Sequence, residues 1–458
     1  MESWNYSVTL IQDLAPMTNP RNTTAQMRRA QAMVGSRKLK MIVGVLIPTM
    51  FMTVTLTTWP AQAATKTIKI GFVSPQTGPL AGFGEADKYV IDAMTKHFDS
   101  QPIAFGGNRY EVKIILKDAQ SSSSVAASAA ADLINRDGVS MILASSTPDI
   151  VNPVADQCEA NAIPCITTVA PWQAYFLGRQ KDPAKPVPFK YTYHFFWGLE
   201  DVVATYQDIW SQVDNNKKAA ALWPNDPDGG AWSSPNGFPP AAEKAGYAIT
   251  NPGLYPNGTQ DFTSQISAFK AAKAEVLLGV PIPPDFGTFW KQAVQQGYKP
   301  KVATIGKALL FPSTIEALGT TGQNLSTEVW WHPTSPFKSS LTRQSAKQLA
   351  AAYEKSTKKQ WTQPLGFSHA LFEVMAATLK SAKSTDSKAI VAALAKLKIN
   401  TVVGTVDWTS GPVPNVAKTP LTGGQWRSGI NKKKYDLVIV SNVSGKMIPL
   451  GGKAEALK

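Results

Sequence analysis

From Thr67 onward the chain repeats one unit: a short run rich in β-branched residues, a stop at Gly, Ser, Thr or Pro, and then a helical stretch. Such alternation implies parallel βαβ units, with helices covering the strands and ligands held by the loops at the strands' carboxyl ends. The first unit is the clearest. Thr67, Ile68, Ile70 and Val73 suit a buried pleated strand over Thr67 to Val73. Gly78, Gly82 and Gly84 punctuate the loop that follows, and Glu85, Ala86, Val90, Ile91 and Met94 open an amphipathic helix. The loop Ser74 to Glu85, with Phe83, is therefore a candidate cleft wall. The glycine spacing 78, 82, 84 does not fit the dinucleotide-binding fingerprint.

Later units supply further loops of the same kind. Tyr110 to Asp118 reads as a strand, Ser121 to Ser124 caps a helix ending near Asn135, and the strand Val139 to Ala144 ends in Ser145-Ser146-Thr147. A helix over Pro153 to Ala160 leads to the strand Ile163 to Thr168, which ends in Thr167-Thr168-Val169-Ala170-Pro171-Trp172. Lys218 to Trp223 is a strand followed by the Gly- and Pro-rich loop holding Asp226 and Asp228. The strand Glu275 to Val280 ends in PIPPDFG before a helix over Thr288 to Gln296, and the strand Val302 to Ile305 ends at Gly306-Lys307. Helices are expected over Thr342 to Ser356, Gly366 to Ser381 and Ser387 to Leu397, and a last strand over Tyr435 to Asn442. Short hydroxyls and exposed amides at helix N-termini hold anions well, and they also serve as ordinary helix caps.

The segment IKIGFVSPQTGPLAGFGE resembles the first strand and loop of the branched-chain amino-acid (Leu/Ile/Val) type of solute-binding proteins of ABC importers. Thr77, Gly78, Pro79, Ala81 and Gly84 carry the pattern, and the resemblance runs from about Ile68 to Trp426. It implies the type 1 periplasmic binding protein fold: α/β, two Rossmann-like lobes with parallel sheets, about three hinge crossovers and a ligand cleft between the lobes. Residues 64–192 plus 328–428 are expected in lobe 1, and 193–327 plus 429–458 in lobe 2. The resemblance makes Ser145, Ser146, Thr147, Thr167, Thr168, Ala170 and Trp172 candidates for holding a ligand carboxylate. Phe83, Trp172, Trp197 and Trp232 would suit a flat ligand. Amino-acid-binding members place an acid after the strand corresponding to Val302 to Ile305, where this chain has Lys307. A lysine there would repel an ammonium and attract a carboxylate; alternatively Lys307 points to solvent and Asp226 or Asp228 serves the ammonium. The expected ligand is an organic acid, aromatic ones included, or an amide-like compound, ahead of leucine or valine. The implied partner is a membrane permease, with no cofactor and a monomeric receptor.

Ahead of the first strand, Arg28, Arg29, Arg37, Lys38 and Lys40 precede the apolar run from Met41, which exits through Ala61-Gln62-Ala63. This is the pattern of an export signal cleaved after Ala63, and it places the mature protein in the periplasm. Arg28-Arg29 is a weak twin-arginine feature, and Met27 and Met33 are alternative starts. The formal charge of +14 owes part of its excess to this leader, and the remaining basic residues are dispersed, which argues against nucleic-acid binding. Cys158 and Cys165 are expected to form a disulfide after export. His97, His194, His332 and His369 are too scattered for a metal site. The sequence contains no G-x-S-x-G elbow, P-loop or H-E-x-x-H, so an enzyme is not expected. A ligand sensor without a transport role and a secreted hydrolase are the competing classes.

Overall fold

Two seven-stranded sheets organise the chain. The computed structural model describes residues 65–430 and 433–457. The leader, its signal and the cleavage after Ala63 lie outside the described residues.

In chain order the strands are β1 (Thr65–Ser74), β2 (Ile103–Phe105), β3 (Asn108–Asp118), β4 (Met141–Ser145), β5 (Cys165–Thr168) and β6 (Thr192–Phe195). Next come β7 (Lys218–Leu222), β8 (Ala248–Thr250), β9 (Val276–Gly279), β10 (Val302–Ile305) and β11 (Ser326–Val329). After a helical stretch follow β12 (Lys398–Thr401), β13 (Gly404–Asp407), β14 (Val416–Ala417), β15 (Thr422–Ser428) and β16 (Tyr435–Ser441). The first sheet runs β14-β6-β5-β4-β1-β3-β2 and the second β16-β15-β11-β10-β9-β7-β8, while β12 and β13 form a separate hairpin. Within the first sheet only β2 pairs antiparallel, with β3. In the second, β15 pairs antiparallel with β11 and β16, and the remaining pairs are parallel.

β1 sits at the centre of the first lobe because it is apolar on both faces: Ile68, Ile70, Phe72 and Val73 are fully buried. Each such side chain contributes about 1.5–3 kcal/mol on leaving water. The helix Pro364–Ala382 packs against this sheet, stacking Phe372 on Phe72. With Pro364 through Ala376 all buried, its apolar composition is a consequence of being surrounded.

The chain passes between the sheets three times: after β6, after β11, and between β14 and β15. All three borders differ from the sequence-based expectation, the second because Glu328 and Val329, expected in lobe 1, belong to β11 of the second sheet. The whole of β6 belongs to the first sheet, so the first crossing begins at Phe196, beyond Tyr193. β15, expected in lobe 1, pairs in the second sheet, which moves the last crossing to Lys418 through Leu421. Consecutive glycines masked that strand. A Cβ on Gly424 would come within 2.5 Å of Val329 Cγ2 and 2.8 Å of Leu437 Cδ1, so the sheet needs glycine there for close packing.

Several helices start earlier than expected. Prolines read as loop residues occupy the first helical turn of Pro148–Ala160 and Pro283–Gln295, where a missing N–H costs nothing. The loop after β7 likewise contains a helix, Pro227–Ser233, capped by Asp226 through a 2.8 Å hydrogen bond from the Gly229 N–H. Cys158 and Cys165, expected to be bridged, are free thiols, both fully buried between helix Pro148–Ala160 and β5. Burial pushes the Cys158 thiol up, as does its thiol neighbour Cys165. The pair packs as two small apolar side chains.

Candidate functional site

Strand order reverses between β4 and β1 in one sheet and between β7 and β9 in the other, and loops diverge at such points. The loops leaving these strands meet around a narrow pocket of about 20 Å³, room for about one water molecule and well below the range for small-molecule sites. The first lobe contributes Phe83, Thr147, Val169 and Pro171, and the second Asp228, Trp232, Val280, Lys307, Leu310 and Glu328. Phe196, Trp197 and Trp330 come from the crossings. The lobes touch around it. Phe83 meets Phe311 edge-on at 5.0 Å, and helices Pro148–Ala160 and Trp172–Phe176 contact Pro227–Ser233. A wider groove lies between helices Pro283–Gln295 and Pro312–Ala317, lined by Pro283, Trp290, Val294 and Leu318 together with Lys291 and Gln295, and it lies within the second lobe, away from the first.

Lys307 dominates the chemistry of the second lobe. Its Nζ lies 2.6 Å from Asp226 Oδ2 and 3.0 Å from Asp228 Oδ2, with only 5% of the side chain exposed. It neither points to solvent nor stands free in the cavity. Burial works against its charge, but Asp226, Asp228 and Asp149 outweigh burial and raise its pKa. Burial likewise pushes Asp226 up, and Lys307 more than offsets this, holding its carboxylate below the usual range. Asp228 goes the other way, raised to about 7 by burial, with Asp226 and Asp149 adding to the effect and Lys307 only partly opposing it.

The backbone at this point is strained. Lys307 has φ 52° and ψ −66°, and the Ala308 N–H donates to the Gly306 carbonyl at 2.5 Å, closing a γ-turn of the rarer hand. Gly306 cannot carry a side chain, since a Cβ would approach Trp232 Cη2 to 2.8 Å and the Glu328 carboxylate oxygens to 3.1 and 3.2 Å. Glu328 supports the turn, accepting from the Lys307 N–H at 3.3 Å and from the Tyr206 hydroxyl at 2.5 Å. Burial raises the Glu328 pKa.

The first lobe presents no charge at the lining. The Thr147 hydroxyl makes no hydrogen bond of ordinary geometry, although it lies near enough to Asp149 to favour that carboxylate, and the hydroxyls of Ser145 and Ser146 beside it are also buried and unpartnered. Thr167 and Thr168 are spent inside the sheet. The Thr168 hydroxyl donates to the Phe195 carbonyl at 2.6 Å, and the Thr167 hydroxyl lies 2.8 Å from His194 Nδ1. Burial lowers the His194 pKa to about 3. The neutral ring donates from Nε2 to the Ala170 carbonyl at 2.8 Å and accepts from Thr167 at Nδ1. Val169 is β-branched yet has φ 73°, a left-handed conformation that costs about 1–3 kcal/mol. Trp172 turns away from the cavity, its indole N–H donating to Glu200 at 3.2 Å and its backbone N–H to the Trp197 carbonyl at 3.0 Å.

Of the sequence-predicted residues, Phe83, Thr147, Trp197, Trp232, Asp228 and Lys307 converge on the cavity, and Asp226 stands directly behind it. Thr167, Thr168, Ala170 and Trp172 support the surrounding loops instead. Sequence reasoning missed Val169, Pro171, Phe196, Val280, Leu310, Glu328 and Trp330 as lining residues. The run EVWWHP marked a return to the first lobe and carried no separate sign that Glu328 and Trp330 would reach the cavity.

Residues 67–431 match the sequence model of the family described as periplasmic binding protein. No curated protein matches the chain at a significant level. Similar solved structures include the leucine-binding protein LivK of Thermotoga maritima, with TM-score 0.66 and 19% identity over 82% of this chain and 99% of that one. The branched-chain amino-acid transporter substrate-binding protein LivJ of Streptococcus pneumoniae, in complex with isoleucine, has TM-score 0.62 and 16% identity over 82% of this chain and 100% of its own. An ABC transporter solute-binding protein of Rhodopseudomonas palustris, in complex with 3,4-dihydroxybenzoic acid, has TM-score 0.64 and 17% identity over 83% of this chain and 99% of that one. These likenesses establish the two-lobed α/β fold.

Proposed function

The chain belongs to the periplasmic binding protein family, and from that premise we propose that it is the exported receptor of an ABC importer, capturing one small solute between its lobes and delivering it to a membrane permease. One observation carries this reading: loops from both lobes and two of the crossings converge on one narrow pocket whose lining includes buried polar groups without protein partners. Such groups cost about 1–3 kcal/mol each while unsatisfied, so a ligand that supplies their partners is favoured. Enclosure by two lobes on three crossings suits hinge opening for entry and closure for capture. Among the described residues no helix is long and apolar enough to cross a membrane. The solute classes considered are amino acids, organic and aromatic acids, and amide-like compounds. Solutes of these kinds have been captured on the same fold, with isoleucine and 3,4-dihydroxybenzoic acid bound to the relatives named above.

A thermal-shift panel of these classes, followed by small-angle scattering with the best binder, tests the proposal. A true ligand raises the melting temperature in proportion to the logarithm of its concentration and shrinks the radius of gyration. Thr147→Val and Trp330→Ala should both weaken that binder. If no member of the panel stabilises the protein, or the best binder is indifferent to both substitutions, the cavity is not its receptor site.

A further inference from the structure

At the second-lobe end of the cavity Lys307 is the cation that faces the carboxylates of Asp226 and Asp228, with Glu328 at its backbone and Asp149 of the first lobe also acting on it. Lys307 Nζ takes an oxygen of both Asp226 and Asp228, at 2.6 and 3.0 Å, and the other Asp226 oxygen accepts from the Gly229 N–H. Both oxygens of Glu328 are engaged, by the Lys307 N–H on one side and by the hydroxyls of Tyr206 and Thr327 on the other. Asp228 Oδ1 is the one carboxylate oxygen lining the cavity that has no partner among the described residues.

Donors, by contrast, stand in excess. The indole N–H groups of Trp197, Trp232 and Trp330 all belong to lining residues, are buried and make no hydrogen bond of ordinary geometry, as is true of the Thr147 hydroxyl. Outside the lining the indoles of Trp172, Trp210, Trp290, Trp408 and Trp426 are each hydrogen-bonded while those of Trp223 and Trp331 are not, so a missing acceptor is common to all three lining indoles without being confined to them. An indole N–H donates and cannot accept. Its natural complement is an oxygen on the ligand.

We propose that Lys307 is a specificity-determining residue that fills, from within the protein, the place a ligand's ammonium would take, so that the cavity selects an amine-free solute recognised through its oxygen acceptors. The inference rests on reading the interlobe cavity as the ligand site. A ligand ammonium would bring three donors to a wall with a single unpartnered carboxylate oxygen, and it would face the Lys307 ammonium across a poorly solvated space. Lys307 is held in place for this task. Its strained γ-turn persists because the ion pair, the close approach at Gly306 and the bond to Glu328 fix it from three sides.

Matched pairs that differ only by the amino group test the proposal: 3-phenylpropanoate against phenylalanine, and 4-methylpentanoate against leucine, by titration calorimetry at neutral pH. The amine-free member should bind wild-type protein at least tenfold more tightly in one or both pairs. Lys307→Met should narrow that ratio at least tenfold or reverse it. Because this substitution leaves two buried carboxylates facing each other, the charge-balanced double variant Lys307→Met with Asp228→Asn is measured alongside, with circular dichroism to verify folding. Equal or tighter binding of the amino acids by wild type, or a ratio unchanged in the folded variant, overturns the assignment of Lys307 alone. Absence of binding by every probe to every protein overturns the reading of the cavity together with it.

Discussion

On the first-lobe side of the cavity stand Phe83, Thr147, Val169 and Pro171, uncharged and held by hydrogen bonds that run back into the sheet. On the second-lobe side stand Asp228, Lys307 and Glu328, with Asp226 behind them, a buried ionic cluster. The lobes share an architecture yet present opposite surfaces to the same space. Shape and neutral hydrogen bonding are set by one wall, and charge by the other. Damage to the first should therefore change recognition with little effect on stability, whereas damage to the second should be costly to folding itself.

The largest effect is expected from Lys307→Met. Removing one partner of a buried ion pair leaves uncompensated carboxylates, and urea unfolding at pH 7 should show a loss of about 3–5 kcal/mol. A loss below about 1 kcal/mol would mean that the second wall is not under electrostatic constraint.

Next comes the pH dependence carried by Asp228. Its folded pKa of about 7 exceeds the ordinary carboxyl value of 3.8, so in that window the folded protein keeps a proton that the unfolded chain has released. The residue's stabilising contribution is complete below about pH 4 and is lost as pH rises towards 7. Asp228→Asn lacks this slope and should gain on wild type by roughly 2–4 kcal/mol between pH 4 and pH 8. Parallel stability curves would break the comparison at its centre.

Gly306→Ala should cost about 1–3 kcal/mol, because the new methyl is driven into Trp232 and Glu328. Its melting temperature should fall together with ligand affinity, coupling the two properties on this wall.

On the other wall they should separate. Thr168→Val removes a hydroxyl that serves the sheet and should cost about 1 kcal/mol while ligand affinity holds. Thr147→Val removes a hydroxyl that makes no hydrogen bond of ordinary geometry, so stability should stay within about 1 kcal/mol of wild type while affinity falls. Equal affinity losses in the two variants would show that both hydroxyls face the ligand.

Much of this arrangement was legible before any coordinates. Strand-end loops are local features, and in a parallel α/β sheet their position follows from the strand that precedes them, which is why Phe83, Thr147, Asp228 and Lys307 could be named. Thr167 and Thr168 show the limit of that logic. A hydroxyl at a strand terminus looks the same in sequence whether it faces the cleft or the neighbouring strand, and only the pairing of β5 with β6 decides. Glu328 and Trp330 were hidden for a different reason, since Glu328 lies inside β11, where only sheet pairing shows which way it faces, and Trp330 stands where the second crossing begins. The charge state of Lys307 was equally out of reach. Its neutralisation depends on a helix, Pro227–Ser233, whose Gly- and Pro-rich sequence suggested a loop.

Phe196, Trp197 and Trp330 belong both to the crossings and to the cavity lining. On the proposed reading solute bulk is thereby translated into leverage: a side chain that would measure the ligand is also part of the spring on which the lobes would turn. Selectivity and compliance are inherited together in such a design. A lineage shifting to a larger solute by trimming one of these rings would also reset the rest angle and the ease of opening, and would have to recover both before uptake regained its speed.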